Sequence, residues 1–446
     1  MNIQKVLIAN RGEIASRIIR SCRSRGCKTV AVYSEADSDL AYVSMADEAV
    51  CIGAPPVAKS YLNMDAILQA AESTGADAIH PGYGFLSENA AFAKKVMERG
   101  LVWIGPGPGV IAEMGDKVTA RKAMIEAGVP VVPGTEGLQS KEDAVTASEK
   151  IGFPVMVKAS AGGGGIGMHV VKDAAEMEKL FPSAQGRAKA YFGDDTLFLE
   201  KWVERSRHVE VQIAADLQGN VIHLYERECS VQRRNQKVIE ESLSPSIHSE
   251  TRRRLYEAAI RAAQAVHYTG VGTVEFLVGP DEEFYFLEMN TRLQVEHPVT
   301  ECITGLDIVA LQLDLAEGKQ LPVRQEEVPL HGHAMEFRIY AEDPQTFLPS
   351  PGKLTEFHPP QGEGIRIDTG VKTGNTISPF YDPMIAKCIV SGCTREEVLS
   401  RSRKALQAFR IAGIKTNIPL LLEVLDDPVF IDGHYDTHIL ANRTKR

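Results

Sequence analysis

Cysteine is scarce in this chain and follows no pattern. Its seven cysteines, Cys22, Cys27, Cys51, Cys229, Cys302, Cys388 and Cys393, are odd in number, and no pair has C-x-x-C spacing. A disulfide framework or a zinc site is therefore not expected, and a reducing cytoplasm is the expected compartment. Positive charge is not in excess: 49 Lys and Arg face 59 Asp and Glu, a net charge of −10. That removes the electrostatic case for nucleic acid or an anionic membrane as partner. No apolar run approaches the length that spans a bilayer. Neither an internal repeat nor a low-complexity tract is visible. The first residues, Met1 to Val6, lead at once into a strand pattern, so no signal or transit segment is expected. What is present is ordinary: 446 residues, 44% hydrophobic and 24% charged, enough for about three domains with sizeable cores.

The opening third alternates strand and helix. Lys5 to Ala9 reads as a buried strand, followed by Asn10-Arg11-Gly12-Glu13 and a helix to about Ser24. Lys28 to Ser34 and Ala76 to His80 read as further strands. This order predicts a parallel sheet with helices on both faces, whose post-strand loops, Asn10–Glu13 and Gly82–Glu88, are candidate site loops or plain turns. A second region starts near Gly115-Asp116-Lys117. Residues from about 135 to 203 read as a small α+β unit, and those from about 204 to 300 as mostly antiparallel strands. A third unit, from about 331, mixes strands with a helix over Thr394–Phe409.

The most informative stretch runs from Glu288 to Glu296. Taken as extended chain, Glu288, Asn290, Arg292, Gln294 and Glu296 share one face, because successive strand side chains alternate. The run that feeds it, Phe284 to Leu287, is too apolar for a surface strand. Glu275 is the lone acid in Val271 to Val278, and Gly279-Pro280-Asp281-Glu282-Glu283 between the runs reads as a hairpin turn. A turn centred between Asp281 and Glu282 sets Glu275 directly across from Glu288. Facing carboxylates repel, and burying one without a partner is costly. A divalent cation such as Mg²⁺ or Mn²⁺ would remove both penalties. The plainer alternative is a hairpin with one solvated polar face.

Other segments carry weaker signals. Four consecutive glycines, Gly162 to Gly165, let backbone N–H groups approach phosphate closely. No Gly-Lys-Ser/Thr follows, so this is not a P-loop. Met168 to Val171 reads as a returning strand, with a helix only after Asp173, which suits a flap between strands. Lys158, at the end of an apolar strand, and Lys117 are candidate phosphate contacts or solvent-seeking lysines. His208, Glu210 and Gln212 alternate on one face. Ser230 to Glu241 packs three cations beside acids, either an anion platform or a solvated cluster. Glu336, Arg338 and Tyr340 also share a face.

Taken together, the chain resembles the biotin carboxylases of the ATP-grasp superfamily, from Ile8-Ala9-Asn10-Arg11-Gly12-Glu13 through Gly413-Ile414-Lys415-Thr416-Asn417. The most specific stretches are His80-Pro81-Gly82-Tyr83-Gly84-Phe85-Leu86-Ser87-Glu88-Asn89, the tetraglycine loop, and Glu288 to Val299 with its Glu-His-Pro-Val ending. The resemblance implies an α/β and α+β multidomain fold. It comprises an N-terminal Rossmann-like domain (1–114), a central ATP-grasp domain (115–330) with a mobile lid at about 135–203, and a C-terminal mixed α/β domain (331–446).

It also implies the chemistry: ATP and bicarbonate form carboxyphosphate, and the ureido nitrogen of biotin is carboxylated. Lys117, Lys158, Glu200, Lys201, Val203, His208, Gln232 and Leu277 would then surround ATP, with Gly162, Gly163, Gly164 and Gly165 as lid. Glu275 and Glu288, with Asn290 nearby, would hold Mg²⁺ or Mn²⁺. Lys237, Arg292, Gln294 and the backbone of Val295 would hold bicarbonate, and Glu296 would take its proton. Arg338 would stabilise the biotin enolate, with Tyr83 and Gly84 in the biotin pocket.

Two departures stand out: Ile166 where many relatives carry Arg or Lys, and Asn235 where they often carry His. No Ala-Met-Lys-Met-like biotinylation motif is found, so biotin is expected on a separate biotin carboxyl carrier protein, with carboxyltransferase subunits completing an acetyl-CoA or acyl-CoA carboxylase. A homodimer is expected. The alternatives are another ATP-grasp carboxylate–amine ligase, or a non-catalytic ATP-binding regulatory subunit.

Overall fold

The computed structural model describes residues 2–159, 168–192, 195–233 and 236–441. The tetraglycine loop Gly162 to Gly165, Ile166 and Asn235 lie outside the described residues. The N-terminal region is a five-stranded parallel sheet in the order β3-β2-β1-β4-β5. Its strands are β1 (Lys5–Ile8), β2 (Lys28–Tyr33), β3 (Glu48–Cys51), β4 (Ala78–His80) and β5 (Val102–Trp103); β1, β2 and β4 fall where the alternating pattern predicted strands, and β3 and β5 were not among them. Helix α1 (Gly12–Ser24) buries Ile14, Ile18, Ile19 and Cys22, an i, i+4, i+5, i+8 stripe. These side chains share a hydrophobic cluster with Leu293, Ile308 and Leu311. The parallel sheet is thereby clamped to the chain that carries the central polar cluster. Burial of each such side chain contributes roughly 1.5–3 kcal/mol.

The lid region forms a separate antiparallel sheet, ordered β7-β6-β8, from β6 (Val155–Ala159), β7 (His169–Val171) and β8 (Leu197–Lys201). Next comes an eight-stranded antiparallel sheet. It starts with β13 (Phe284–Asn290), β12 (Gly270–Val278), β9 (Arg207–Ala215), β10 (Val221–Arg233), β11 (Gln236–Ser242) and β14 (His333–Tyr340). The strands Met384–Gly392 and Ile365–Thr369 complete it. The pairing of β11 with β14 carries one sheet across residue 330. The 204–300 region is not strands alone: Ser249–Ala265 is a 17-residue helix. Its buried face of Leu255, Ala258, Ala259, Ala262 and Ala263 has helical spacing, a period obscured by the strand runs on either side. The helix Arg395–Ala408, N-capped by Thr394, falls where expected.

Two local expectations are corrected. The hairpin between β12 and β13 is centred on Asp281, since Val278 pairs with Phe284 and Phe276 with Phe286. A bulge on β13 after Phe286, opposite the Glu275–Phe276 step, inserts Leu287, and only this restores Glu275 opposite Glu288. Leu287 is turned out to solvent, as the extra residue of a bulge commonly is. In addition, β13 ends at Asn290. Arg292, Gln294 and Glu296 therefore sit on a loop rather than on a continued strand, ahead of the helix His297–Thr304 with Pro298 in its first turn.

Candidate active site

Two strands and one loop aim carboxylates at Lys237 on β11. Its Nζ donates to Glu210 Oε2 at 2.6 Å, Glu275 Oε1 at 2.8 Å and Glu296 Oε1 at 2.7 Å. These fill all three donors of the ammonium. Glu210 and Glu275 are ladder partners on β9 and β12, so adjacent acids are forced together by register. Arg227 on β10 is fully buried and supports the same group. It donates to Glu210 at 2.6 Å, Gln212 at 2.7 Å, Thr300 at 2.9 Å and Thr273 at 3.1 Å.

Glu296 is fully buried and bridges two cations. Its Oε2 accepts from Arg338 at 2.9 Å, while Arg338 Nε donates to Glu240 Oε1 at 2.6 Å. Burial pushes the Glu296 carboxyl up, but Lys237, Arg338 and Arg227 outweigh it and hold it well below the usual carboxylate range. Burial likewise raises Glu275, and Lys237 and His208 bring it well below that range. Glu240 moves the other way: burial, only partly offset by Arg338, lifts it to about 7. Burial, then repulsion from Glu275, raises Glu288.

The loop Thr291–Glu296 is held from several sides. Arg292 donates to Glu88 Oε2 at 2.7 Å, Gln294 Oε1 at 2.8 Å and Asn290 Oδ1 at 2.8 Å. Gln294 and Asn290 donate in turn to Glu275 Oε1, at 3.0 and 2.8 Å. Leu293 between them is fully buried, so its neighbours face the polar side. The Val295 carbonyl accepts from Lys387 Nζ at 2.8 Å.

The loop after β4 reaches the same region. His80 is fully buried. It accepts from the Gly82 N–H through Nδ1 at 3.0 Å and meets Gln312 through Nε2 at 3.2 Å. Gly82 has φ of 63°, and a Cβ there would lie 2.9 Å from Asn10 Nδ2. Only glycine fits this turn, which presents Tyr83 and Gly84. The Tyr83 hydroxyl donates to Glu13.

The candidate nucleotide residues divide into two groups. Leu277 and His208 are ladder partners on β12 and β9. Gln232 contacts His208 at 2.9 Å, and His208 Nε2 lies 2.9 Å from Glu275 Oε2. Burial lowers the His208 pKa, yet Glu275 more than compensates and the net shift is upward. In the lid region, Lys158 is ion-paired with Glu200 on the neighbouring strand, so the lysine read as wanting an anion already has one. Lys201 and Val203 are half-buried at the end of that unit, and Lys117 is exposed at the first position of the helix Lys117–Glu126.

Glu275 and Glu288 are paired in the ladder, and burial, then repulsion from Glu275, raises Glu288. Hard oxygen donors of this kind fit a divalent cation. Asn290 fits less directly, because its oxygen is taken by Arg292. His208, Glu210 and Glu275 also bring ligand atoms within 4.8 Å of one another, though Lys237 already neutralises the two acids.

Sequence reasoning named neither Arg227 nor Lys387, and it reached Glu88 and Glu240 only as parts of the candidate loop Gly82–Glu88 and the charged run Ser230 to Glu241, with no role given to either. Arg227 lies in Glu226-Arg227-Glu228, a charged run inside a strand. That was an available signal, but only pairing with β9 shows which face is buried.

Three family models match successive segments: the biotin carboxylase N-terminal domain over 2–111, the carbamoyl-phosphate synthase L chain ATP binding domain over 116–324, and the biotin carboxylase C-terminal domain over 336–442. A biotin carboxylase of Halalkalibacterium halodurans is 56% identical over 443 residues, covering 99% of this chain and 98% of that protein. The biotin carboxylase of Campylobacter jejuni, solved as a β-γ-ATP complex, superposes with a TM-score of 0.92 at 47% identity, with 99% of each chain covered. The biotin carboxylase domain dimer of Hydrogenobacter thermophilus 2-oxoglutarate carboxylase, solved with MgADP, ADP and bicarbonate, gives a TM-score of 0.90 at 45% identity, covering 99% and 98%. Fold and charged cluster together define an ATP-dependent ligase of the ATP-grasp class. Within that class, the chain belongs to the biotin carboxylase family.

Proposed function

We propose that this protein uses ATP and bicarbonate to carboxylate biotin presented by a biotin carboxyl carrier protein, the first half-reaction of an acetyl-CoA or acyl-CoA carboxylase. The observation that carries this reading is the joining of Lys237, Glu296 and Arg338 in one buried chain of ion pairs beside the Glu275–Glu288 pair. A site that only grips nucleotide has no need of a buried carboxylate between two cations next to the Tyr83 loop.

In this reading Lys117, Lys158, Glu200, Lys201, Val203, His208, Gln232 and Leu277 bind the nucleotide, with Gly162 to Gly165 covering it. Glu275 and Glu288 hold the divalent cation, with Asn290 beside them. When bound, that cation neutralises phosphoryl oxygens and aligns them for transfer. Lys237, Arg292, Gln294 and the Val295 backbone hold bicarbonate. Both cations are fully engaged by protein acceptors, so the anion exchanges with carboxylates rather than filling vacant donors. That exchange activates Glu296: as Lys237 turns toward bicarbonate, the charge that depresses the Glu296 carboxyl weakens, and its basicity rises for proton removal. Arg338 keeps its second anchor on Glu240 while it meets charge developing on the ureido oxygen. Carboxyltransferase subunits as partners, a homodimer and a cytoplasmic location complete the proposal. Among the described residues, no helix is long and apolar enough to cross a membrane.

The test is phosphate release from Mg-ATP with and without bicarbonate, then with free biotin, beside Glu296→Ala. Bicarbonate-dependent release, stimulated by biotin and lost in the variant, supports the reading. ATP binding without bicarbonate dependence would sink it.

A further inference from the structure

Behind the cluster lies a second buried charge that the proposed chemistry does not use. Lys387, on the strand Met384–Gly392, is completely buried. It pairs in the ladder with Arg338 on one side and Asp368 on the other. Its Nζ reaches out of the sheet in two directions. It donates to the Val295 carbonyl at 2.8 Å, and it lies 3.3 Å from Glu13 Oε2. Glu13, itself buried, accepts from the Tyr83 hydroxyl through its other oxygen. The chain Tyr83–Glu13–Lys387–Val295 thus crosses three parts of the fold: the loop after β4, the start of α1, and the loop before Glu296.

A fully buried ammonium is costly unless several acceptors hold it. Packing alone would be served by methionine or leucine at this position. What a lysine adds is a directed bond to one peptide oxygen. The Val295 carbonyl belongs to the peptide bond that enters Glu296, and a planar peptide fixed at its oxygen fixes the direction of the next Cα.

We infer that Lys387 is a positioning residue that, with Glu13, ties the Tyr83 loop to the Val295–Glu296 peptide, so that the biotin-facing and bicarbonate-facing loops are set by one buried ion pair. The inference rests on the carboxylase reading. Lys387 touches neither substrate: it acts through Val295 and, by way of Glu13, through Tyr83. Two consequences are specific to it. Losing the tie weakens use of bicarbonate and biotin together, while ATP affinity, set by residues on other elements, is spared. Glu13 and Lys387 also behave as one unit, so their effects do not add.

The experiment compares Lys387→Met, Lys387→Gln, Glu13→Gln and the double variant Lys387→Met/Glu13→Gln in the full chain. It reads KM for ATP, bicarbonate and free biotin, together with kcat and the thermal midpoint. Lys387→Met is expected to raise KM for both bicarbonate and biotin by about tenfold, equivalent to about 1.4 kcal/mol, with KM for ATP within about twofold of the parent. Lys387→Gln, which retains a donor, is expected to recover part of the bicarbonate effect. The double variant is expected to be no worse than Lys387→Met. Unchanged bicarbonate and biotin KM values in a folded Lys387→Met protein overturn the inference. So does a uniform loss in which the ATP KM rises in parallel and the double variant is additive. If Lys387→Met does not fold, the same ratios are read from Lys387→Gln and Glu13→Gln. Failure of the carboxylase reading is separately visible, as absent bicarbonate dependence in the parent chain.

Discussion

Replacing Lys237 by methionine removes the one charge among the described residues that touches Glu210, Glu275 and Glu296 at once. The three acids are 0%, 5% and 0% exposed at their side chains, so water cannot take over. Removing one partner of a buried ion pair typically costs about 3–5 kcal/mol, and that loss is expected near pH 8. It should shrink in acid. In the parent, Glu275 and Glu296 titrate below their unfolded value of about 4.3. Their contribution is complete above about pH 4.3 and is lost only as pH falls through the depressed folded values. In the variant, burial and mutual repulsion are no longer opposed by Lys237, so at least one acid rises above its unfolded value. A group raised in this way favours folding most at low pH and loses that contribution as pH rises through its folded value. His208, whose pKa is held down in part by Lys237, changes in the same direction. The gap between parent and variant should therefore narrow by about 1.4 kcal/mol per pH unit for each proton gained. Scanning calorimetry of both proteins at pH values from about 8 down to about 5.5 measures it. Bicarbonate-dependent phosphate release should fall by at least about a hundredfold at all of them. A gap that stays constant with pH would refute the three-acid account of Lys237.

Three other outcomes follow from the same cluster. Glu288→Gln should weaken Mn²⁺ binding, read by titration calorimetry with a non-hydrolysable nucleotide, by about tenfold, equivalent to about 1.4 kcal/mol, while the protein itself becomes no less stable because a repelling charge has gone. Arg338→Lys keeps a cation but loses the two-pronged hold on Glu240 and Glu296. Biotin carboxylation should fall by roughly a hundredfold or more, while bicarbonate-dependent phosphate release without biotin falls much less. Arg227→Met leaves Glu210 short of a buried partner and should destabilise the chain by about 3–5 kcal/mol, measured as a lowered calorimetric midpoint. An unchanged midpoint would mean that Glu210 is neutral in the folded protein.

The carboxylate hairpin shows how far sequence reading reached. Two apolar β-type runs, Val271 to Val278 and Phe284 to Leu287, with a Gly279-Pro280-Asp281-Glu282-Glu283 turn between, placed Glu275 across from Glu288, and the ladder has that pair. The stated turn centre was half a residue off, and the bulge at Leu287 compensated. A bulge has no periodic signature, because it is a defect in the period. Alternation also suggested that the residues from Glu288 to Glu296 share one face. Their side chains do converge, but on a loop, where hydrogen bonds among Arg292, Asn290, Gln294 and Glu275 replace the pleat.

Local pattern by itself determined β1, β2 and β4 of the parallel N-terminal sheet, the strands on either side of the tetraglycine loop and the helix after Thr394, because each depends on periods and turns within a few residues; the facing acids needed the bulge at Leu287 as well. The motifs along the whole chain were also sufficient to point to the family that the relatives then showed. Only the tertiary structure decided which charges meet. Lys237 finds Glu210, Glu275 and Glu296 through strands and a loop separated by up to 59 positions. Arg338 is shared by Glu240 and Glu296, and Lys387 reaches Glu13 and Val295 across domains. Hydrogen bonds and ion pairs form only between groups that come within a few ångströms, whereas sequence distance carries no information about that separation. The pKa of each acid, and so its role, is therefore a property of the fold.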